Sequence, residues 1–268
     1  MPDYDNDNIG LNAHQRKLKA NLLATGEPWT QTWQHILLLT PAYLAAYTRL
    51  RAVPVEKQHL PRKVQELLLL AMDASCTHLY VAGIRVHTAG ALREGATQAE
   101  VLEVLELTSV LGVHALSVGV PLLQEVLGES TKKEEPAALT SSDAELSEDH
   151  AVLKAEFVKQ RGYWNATWDG ILALAPEFFA AYTEYSSVPF QPGHSTLDAK
   201  TKELVYVAID CATTHLYGPG LKIHIRNAIE YGASAEEVLE VLQLAGLMGV
   251  QSVMSGVDAL VDETQGGR

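Results

Sequence analysis

Apolar residues recur at helical spacing along most of the chain. In the stretch 100–106, valines and leucines face one way while glutamates are interleaved at three-residue spacing, a pattern that predicts an amphipathic helix. The period-two alternation that is typical of strands is scarce. The hydrophobic pattern therefore predicts an all-α protein.

Two helix starts carry the same local signal. Thr97 is followed three residues later by Glu100, and Ser234 by Glu237. This spacing is that of a capping box, in which the hydroxyl and the carboxylate satisfy the first free backbone amides of a helix. A glycine precedes each box by two residues, where a left-handed residue would end the preceding helix. We expect a helix to begin at each box.

The chain contains an internal duplication. Trp29–Trp33 returns as Trp164–Trp168 at an offset of 135 residues, and Thr77–Tyr80 returns as Thr214–Tyr217 at an offset of 137. A solenoid needs three or more short repeats, so the pattern indicates a tandem duplication. We expect two helical bundles of about five or six helices each. The predicted boundaries are 1–127 for the first repeat, 128–150 for a polar linker and 151–268 for the second repeat.

The charge narrows the range of partners. The 268 residues include 20 Lys and Arg against 33 Asp and Glu, a formal net charge of −13. An acidic surface argues against nucleic acid and anionic membranes, since both are bound through clustered basic residues. No secretory signal is visible at the start, and the longest apolar run, near Leu67–Met72, is far shorter than a spanning helix. We expect a cytoplasmic protein.

The segment 63–95 carries the polar residues that suit acid–base chemistry. Glu66 opens an apolar helix, His78 follows at the predicted helix end, and His87 lies beyond a break in a new helix. Histidine titrates near neutrality and can act as acid, base or ligand. A glutamate buried in an apolar helix is expected to have a raised pKa.

The second repeat has the same three groups, and its break is explicit. Glu203, His215 and His224 match the first set, and the sequence 218–220 is Gly-Pro-Gly. Proline cannot continue a helix interior but starts a helix well. A helix–break–helix corner of this kind can bring the two imidazoles and the glutamate together. The alternative interpretation is that these groups make polar contacts that only maintain the fold.

This combination resembles the carboxymuconolactone decarboxylase / alkylhydroperoxidase-D-like superfamily. The resemblance rests on a glutamate, a helix-end motif, a histidine and a following capping box, and it covers both repeats. It implies an all-α fold made of two tandem bundles of the alkylhydroperoxidase-D-like type. In the decarboxylase branch, a histidine is thought to handle a proton while carbon dioxide leaves, in a trimer-based assembly.

The peroxidase branch of that superfamily carries Cys-x-x-Cys, which this chain lacks. By the spacing from the glutamate, His78 and His215 stand at the first cysteine position, and Val81 and Gly218 at the second. A dithiol peroxidase needs a reactive thiolate with a resolving partner. Thiol peroxidase activity is therefore disfavoured. The two cysteines, Cys76 and Cys211, are not equivalent between the repeats and are expected to be small apolar core residues.

The resemblance implies a lyase or isomerase that uses His/Glu acid–base chemistry on a small acidic or ring-derived compound, such as a lactone or an aromatic-degradation intermediate. No cofactor is expected. One alternative is a metal enzyme, since two histidines and a carboxylate suit zinc or non-haem iron. A second alternative is a non-catalytic structural member. The candidate catalytic residues, which are also the alternative metal ligands, are Glu66, His78, His87, Glu203, His215 and His224.

Three further residues are candidates for substrate binding. Tyr80 and Tyr217 adjoin the corner histidines, and His114 lies in an apolar helix where its counterpart in the second repeat is Gln251. For His114, the alternative is a helix histidine with a structural partner. The expected partners of the protein are a small-molecule substrate and two further copies of the chain, which would place six repeats in a homotrimer.

Overall fold

The computed structural model describes residues 10–131 and 148–265 of the chain. Within these ranges the secondary structure is helical, with no strand, and confirms the predicted all-α class. The helices are α1 (Ala13–Ala24), α2 (Gln31–Leu39), α3 (Pro41–Lys57), α4 (Arg62–Ala74), α5 (Val81–Arg93), α6 (Gln98–Ser109), α7 (His114–Thr131), α8 (Glu148–Arg161), α9 (Thr167–Leu174), α10 (Pro176–Ser187), α11 (Ala199–Cys211), α12 (Gly218–Glu230), α13 (Ala235–Leu247) and α14 (Val250–Gln265).

Among the described residues, each repeat has seven helices rather than the expected five or six. The extra boundary arises where α2 ends at Leu39 and α3 begins at Pro41, with one residue between them. The second repeat breaks in the same way before Pro176. A proline has no backbone N–H to continue the preceding helix. The apolar pattern runs on across these breaks, so periodicity alone merges the two helices.

The predicted helix starts are confirmed. Ser234 and Glu237 form a complete capping box at the start of α13. In the first repeat, the backbone N–H of Thr97 donates to Glu100, whose own N–H donates to the Thr97 hydroxyl. The preceding glycines, Gly95 and Gly232, have φ angles of 87° and 90°, a left-handed conformation that glycine adopts without steric cost.

The chain divides into two compact units that differ from the two sequence repeats. The first unit comprises residues 1–101 and 198–268. It contains the helix pair α4–α5 of the first repeat and the matching pair α11–α12 of the second, with α4 packed on α11. Helix α13 packs on α3 and α4, and α14 packs on α2. The six predicted catalytic candidates all lie in this unit, namely Glu66, His78, His87, Glu203, His215 and His224.

The second unit comprises residues 102–197. Its core is aromatic, because the Phe157 ring of α8 lies between Trp168 and Phe179 at centroid distances of 5.1 and 5.4 Å. Buried aliphatic residues of α9, Ile171 and Leu172, complete the cluster. Such ring contacts add to the free energy that comes from burying apolar area.

The predicted linker lies mainly outside the described residues. Its first residues, 128–131, form the end of α7, and its last, 148–150, form the start of α8. Residues 132–147 fall outside the described ranges. The proposed boundaries of the linker therefore stay a prediction.

Two helical stretches, Gln98–Gly128 and Ala235–Thr264, are long and apolar enough by composition to cross a membrane. Core helices of soluble proteins have the same properties, so these stretches are weak evidence for a membrane protein. They contain the amphipathic segments that the sequence pattern assigns to the helical core.

Candidate active site

The site is built on a tight corner between α4 and α5. Helix α4 is buried from Val64 to Asp73 and ends at Ala74. The chain then turns so that the Tyr80 N–H donates to the Asp73 carbonyl at 2.9 Å. Leu79 adopts a left-handed conformation at φ 49° to allow this turn. The second repeat has the same geometry at Leu216, with φ 51°.

This corner joins the predicted glutamate and histidine directly. Glu66 of α4 and His87 of α5 are both buried, and Glu66 Oε2 lies 2.8 Å from His87 Nδ1. In the second repeat, Glu203 Oε2 lies 2.7 Å from His224 Nδ1. Because an ionised carboxylate only accepts hydrogen bonds, Nδ1–H donates and Nε2 is left to exchange a proton.

Gly90 of α5 lies directly against the Glu66 carboxylate. A Cβ atom on Gly90 would overlap the Glu66 carboxylate. The second repeat has Asn227 at the matching position and still joins Glu203 to His224 at 2.7 Å, so the glutamate–histidine contact does not depend on a glycine. The sequence contains this glycine one turn after the histidine, where it reads as an ordinary helix position.

The pKa of Glu66 is lowered, so the expectation that its pKa is raised is wrong. Burial alone would raise it, but the hydrogen bond from His87 and the guanidinium groups of Arg51 and Arg62 outweigh that effect. Arg62 Nη2 lies 3.2 Å from Glu66 Oε1. Glu66 is therefore an ionised hydrogen-bond acceptor that orients the imidazole.

His78 lies in the turn after α4 rather than at the helix end, since α4 stops four residues before it. Its Nε2 atom hydrogen-bonds the side-chain oxygen of Gln251 and lies 3.7 Å from Asp73 Oδ1. His78 thus reaches the Glu66–His87 pair by way of Asp73. In the second repeat His215 occupies the corresponding turn, and burial lowers its pKa.

Asp73 is a site residue that the sequence analysis missed. It is 1 % exposed, and its Oδ1 accepts a 2.7 Å hydrogen bond from the Gln251 amide. Its Oδ2 has no hydrogen-bond partner within the described ranges and lies 3.7 Å from His87 Nε2. Burial raises the pKa of Asp73. The carboxyl therefore faces the imidazole from the side opposite Glu66.

The second repeat places Asp210 in the same way. A Cβ on Gly220 would overlap Asp210 Oδ2, just as a Cβ on Gly83 would overlap Asp73 Oδ2. Burial raises the pKa of Asp210 to about 7. The signal that could have found both residues is an acid two helical turns after the glutamate, repeated at the offset of 137.

A cavity of about 240 Å³ opens beside His87 in the first repeat. One part of its wall is apolar, and another carries hydroxyl, amide and acidic groups. Tyr80, a predicted substrate-binding residue, lines the cavity, and burial raises the pKa of its hydroxyl. The apolar lining residues include Leu69, Val86, Leu247, Met248 and Met254, and the polar ones include Tyr80, His87, Gln251, Ser255 and Asp258.

An ion pair forms a further part of the cavity wall. Arg51 Nη2 lies 2.8 Å from Glu27 Oε2, and both residues are buried. Arg51 Nε also donates to the Thr25 hydroxyl at 3.2 Å, and its side chain hydrogen-bonds Tyr47. Glu27 and Arg51 had not been predicted as site residues, because each is an isolated charge in the sequence.

The residues around the second dyad differ from those around the first. Leu69 corresponds to Tyr206, whose ring lies 4.6 Å from the His224 imidazole, centroid to centroid. Arg51 corresponds to Ser186, and Glu27 falls where the second repeat has Gly162 and Tyr163. The duplication therefore keeps the glutamate–histidine pair but changes what surrounds it.

The remaining substrate-binding candidates lie apart from that cavity lining. Tyr217 stands beside His215, with ring centroids 5.9 Å apart. His114 is half-buried at the start of α7 and belongs to the other compact unit. Their part in binding a substrate stays a prediction.

The two cysteines differ from each other. Cys211 is buried at the end of α11, and burial raises the pKa of its thiol to about 12. Cys76 is exposed. The expectation that both are core residues is therefore wrong for Cys76, because α4 ends before it and the corner lies at the surface.

The first-repeat members of the alternative metal set make hydrogen bonds with protein groups. Glu66 and His87 bond each other, and His78 bonds Gln251. His87 Nε2 takes no part in these hydrogen bonds, and an imidazole whose other nitrogen is held by a carboxylate can act as a base or as a metal ligand. The metal alternative therefore stays a prediction.

Comparison with known protein families agrees with this geometry. The model of the carboxymuconolactone decarboxylase family matches residues 41–125 and 176–262, once in each repeat. The chain belongs to the carboxymuconolactone decarboxylase family. Both glutamate–histidine pairs of this family member lie within the matched regions.

A solved structure shows the same tandem architecture over nearly the whole chain. It is a crystal structure from Burkholderia xenovorans LB400 of a protein provisionally named a gamma-carboxymuconolactone decarboxylase subunit. The present chain is 40% identical to it, with a TM-score of 0.88, and the match covers 95% of this chain and 98% of that chain. A comparison with curated proteins gives no significant match.

Proposed function

We propose that the protein is a carboxymuconolactone-decarboxylase-like enzyme, a lyase or isomerase that acts on a small acidic or ring-derived compound in the cytoplasm. The observation that carries the proposal is the buried Glu66–His87 pair at the wall of a ring-sized cavity. The family and the solved relative support a decarboxylase-like role. The aromatic-degradation setting comes from the family resemblance.

The chemistry needs a proton at a defined atom. Loss of carbon dioxide leaves an electron pair on carbon, and a donor must protonate that carbanion. Glu66 accepts the Nδ1 proton of His87 and holds the ring, so Nε2 is the atom that gives or takes the proton. Isomerisation or ring opening of a lactone also needs a group that gives a proton to the substrate or takes one from it. Burial of the pair strengthens its electrostatic effect.

Proton exchange on candidate substrates tests this role. The purified protein is incubated in deuterium oxide with a panel of lactones and ring carboxylic acids, and deuterium uptake and carbon dioxide release are followed by NMR. We expect exchange or turnover of at least one compound and the loss of both in the Glu66→Gln variant. The neutral amide of glutamine binds the Nδ1–H of His87 more weakly than a carboxylate does. No exchange with any ring compound would favour the structural alternative.

A chelator arm in the same experiment addresses the metal alternative. We expect activity to survive prolonged dialysis against a strong chelator, because Glu66 and His87 act on each other and not on an ion. Loss of activity that zinc or iron restores would replace the acid–base proposal with a metal-dependent one.

A further inference from the structure

The ion pair in the first-repeat cavity bears on which ligands can enter it. This inference rests on the proposed function for the identity of the binding site. Arg51 has the one permanently cationic side chain in the described lining of that cavity. A free arginine in such a wall would bind carboxylates, because its planar fork matches them.

Arg51 is not free to do so. It is 3 % exposed, and Glu27, Thr25 and Tyr47 all contact its side chain. Glu27 is itself fixed, because its other oxygen accepts a 3.3 Å hydrogen bond from Trp33 Nε1. The carboxylate therefore holds its position opposite the guanidinium.

The rest of the lining adds negative rather than positive charge. Asp258 lines the cavity and accepts hydrogen bonds from Thr32 at 2.6 Å and from His35 at 3.1 Å. The lining thus holds two carboxylates and one guanidinium. A ligand with two carboxylates would bring two more negative charges into this partly desolvated cavity. The described lining has no unpaired cation to compensate them.

The pair is specific to the first repeat. Its arginine position is Ser186 in the second repeat, and its glutamate position falls at Gly162 and Tyr163. Both members change together while the glutamate–histidine pair is kept.

We propose that Glu27 sets the charge class of the first-repeat ligand. By neutralising Arg51, it makes the cavity discriminate against ring compounds with two carboxyl groups relative to compounds with one. That one carboxylate is the group that reacts near His87, and the apolar wall of Leu69, Val86 and Met254 holds the ring. Tyr80 and Ser255 supply hydrogen bonds to a hydroxyl or carbonyl on the ring.

Two probes of equal ring size test the proposal: benzoate, with one carboxylate, and isophthalate, with two. Binding of each to the full-length protein is measured by NMR titration, with the His87 region as reporter. We expect the wild type to bind benzoate at least about tenfold more tightly than isophthalate, since each uncompensated buried charge is costly. The Glu27→Gln variant should bind isophthalate about tenfold more tightly than the wild type does, because it frees Arg51.

Two further variants isolate the cause. Glu27→Gln keeps an acceptor for Trp33, and adding Arg51→Gln to it should abolish the gain. Glu100→Gln removes a different ion pair, with Lys63 at 2.7 Å outside the cavity, and should leave both affinities unchanged. Circular dichroism checks that each variant is folded.

Three results would overturn the proposal. They are equal binding of the two probes by the wild type, an unchanged ratio in Glu27→Gln, and failure of the wild type to bind benzoate at all. The test does not depend on turnover. Selective binding without proton exchange on any substrate would leave the charge selection standing and overturn the proposed function alone.

Discussion

At the scale of single residues, the defining contact is an imidazole held between two acids. Glu66 fixes one nitrogen of His87, and Asp73 stands 3.7 Å from the other. His87 and the nearby arginines lower the pKa of Glu66, whereas burial raises the pKa of Asp73. The two carboxyl groups that face the His87 imidazole thus have pKa values shifted in opposite directions, which suits the transfer of a proton.

Removal of each imidazole should remove the chemistry at its own site. We expect His87→Ala and His224→Ala, made together, to lower turnover by about 100- to 10,000-fold, the usual contribution of a general acid or base. Steady-state kinetics on the substrate found by proton exchange measures this effect. His194→Ala, which removes a half-exposed histidine bonded to Glu106, is the matched control. Unchanged rates in the double variant would mean that the corner is structural.

The cysteines should be dispensable for turnover. We expect the double substitution of Cys76 and Cys211 by alanine to leave kcat within about twofold of wild type, since neither thiol belongs to a dithiol motif. The raised pKa of the Cys211 thiol keeps it protonated at neutral pH. Rates measured with and without a reducing agent check this expectation. A folded double variant without activity would contradict it.

The buried Asp210 should make stability depend on pH. Its pKa is about 7 when folded against an ordinary value of 3.8, so the native state binds its proton more tightly than the unfolded state does. The stability that this group contributes is present at low pH and is lost as the pH rises through about 7. We therefore expect Asp210→Asn to raise Tm at pH 8. The corresponding gain in the free energy of unfolding is on the order of a few kcal/mol.

The difference in Tm should shrink toward pH 4, where the wild-type carboxyl is protonated in the native state. Thermal unfolding at several pH values measures it, and Asp262→Asn, at an exposed position of α14, is the control. A constant difference across the pH range would contradict the assignment.

The sequence predicted part of this site and missed the rest for a physical reason. Glu66 and His87 stand out because the duplication repeats them at fixed spacing in an apolar context. Gln251 is 173 residues from the His78 that it contacts, and no local pattern records such a contact. The Arg51–Glu27 pair likewise joins α3 to the segment between α1 and α2, a contact that depends on tertiary packing alone.

At the scale of helices, acidic side chains fix the segments that lead into the site. Glu240 of α13 is 1 % exposed and accepts hydrogen bonds from the backbone amides of His59 and Leu60 and from the Gln65 side chain. It thereby holds the segment between α3 and α4. In the second unit, Glu103 holds Thr196 and Leu197 in the same manner.

Loss of the Glu240 carboxylate should destabilise the fold. We expect Glu240→Ala to lower the free energy of unfolding by about 3 kcal/mol, since it leaves buried donors without an acceptor. Urea-induced unfolding measures this effect. Glu236→Ala removes an exposed acid from the same helix and should change stability by less than about 0.5 kcal/mol. Equal effects of the two substitutions would contradict the role of Glu240.

The helices themselves were more predictable than their number. Capping boxes and glycines are local signals, so the starts of α6 and α13 could be predicted from sequence. The breaks before Pro41 and Pro176 interrupt a continuous apolar pattern by only one residue. The corner after α4 depends on Leu79 in a left-handed conformation. A leucine in the sequence gives no signal for such a conformation, which is typical of glycine.

At the scale of the whole molecule, the duplication bears on assembly. The apolar faces of the repeats and the family resemblance lead us to expect a homotrimer of 29.2 kDa chains, about 88 kDa in total. Apolar helix packing should hold it, so moderate salt should have little effect. Light scattering coupled to size-exclusion chromatography measures the mass. A stable single chain at micromolar concentration would contradict the expectation.

Because the two repeats are encoded in one chain, each repeat can also change in sequence independently of the other. In an assembly of identical single-repeat subunits, every substitution appears at all sites at once. Here Arg51 lines the first-repeat cavity while its counterpart is Ser186, so the surroundings of the two glutamate–histidine pairs have diverged separately within one chain. A blocker shaped to the Arg51–Glu27 wall would therefore silence half of the glutamate–histidine pairs, and its dose–response curve would level off above zero.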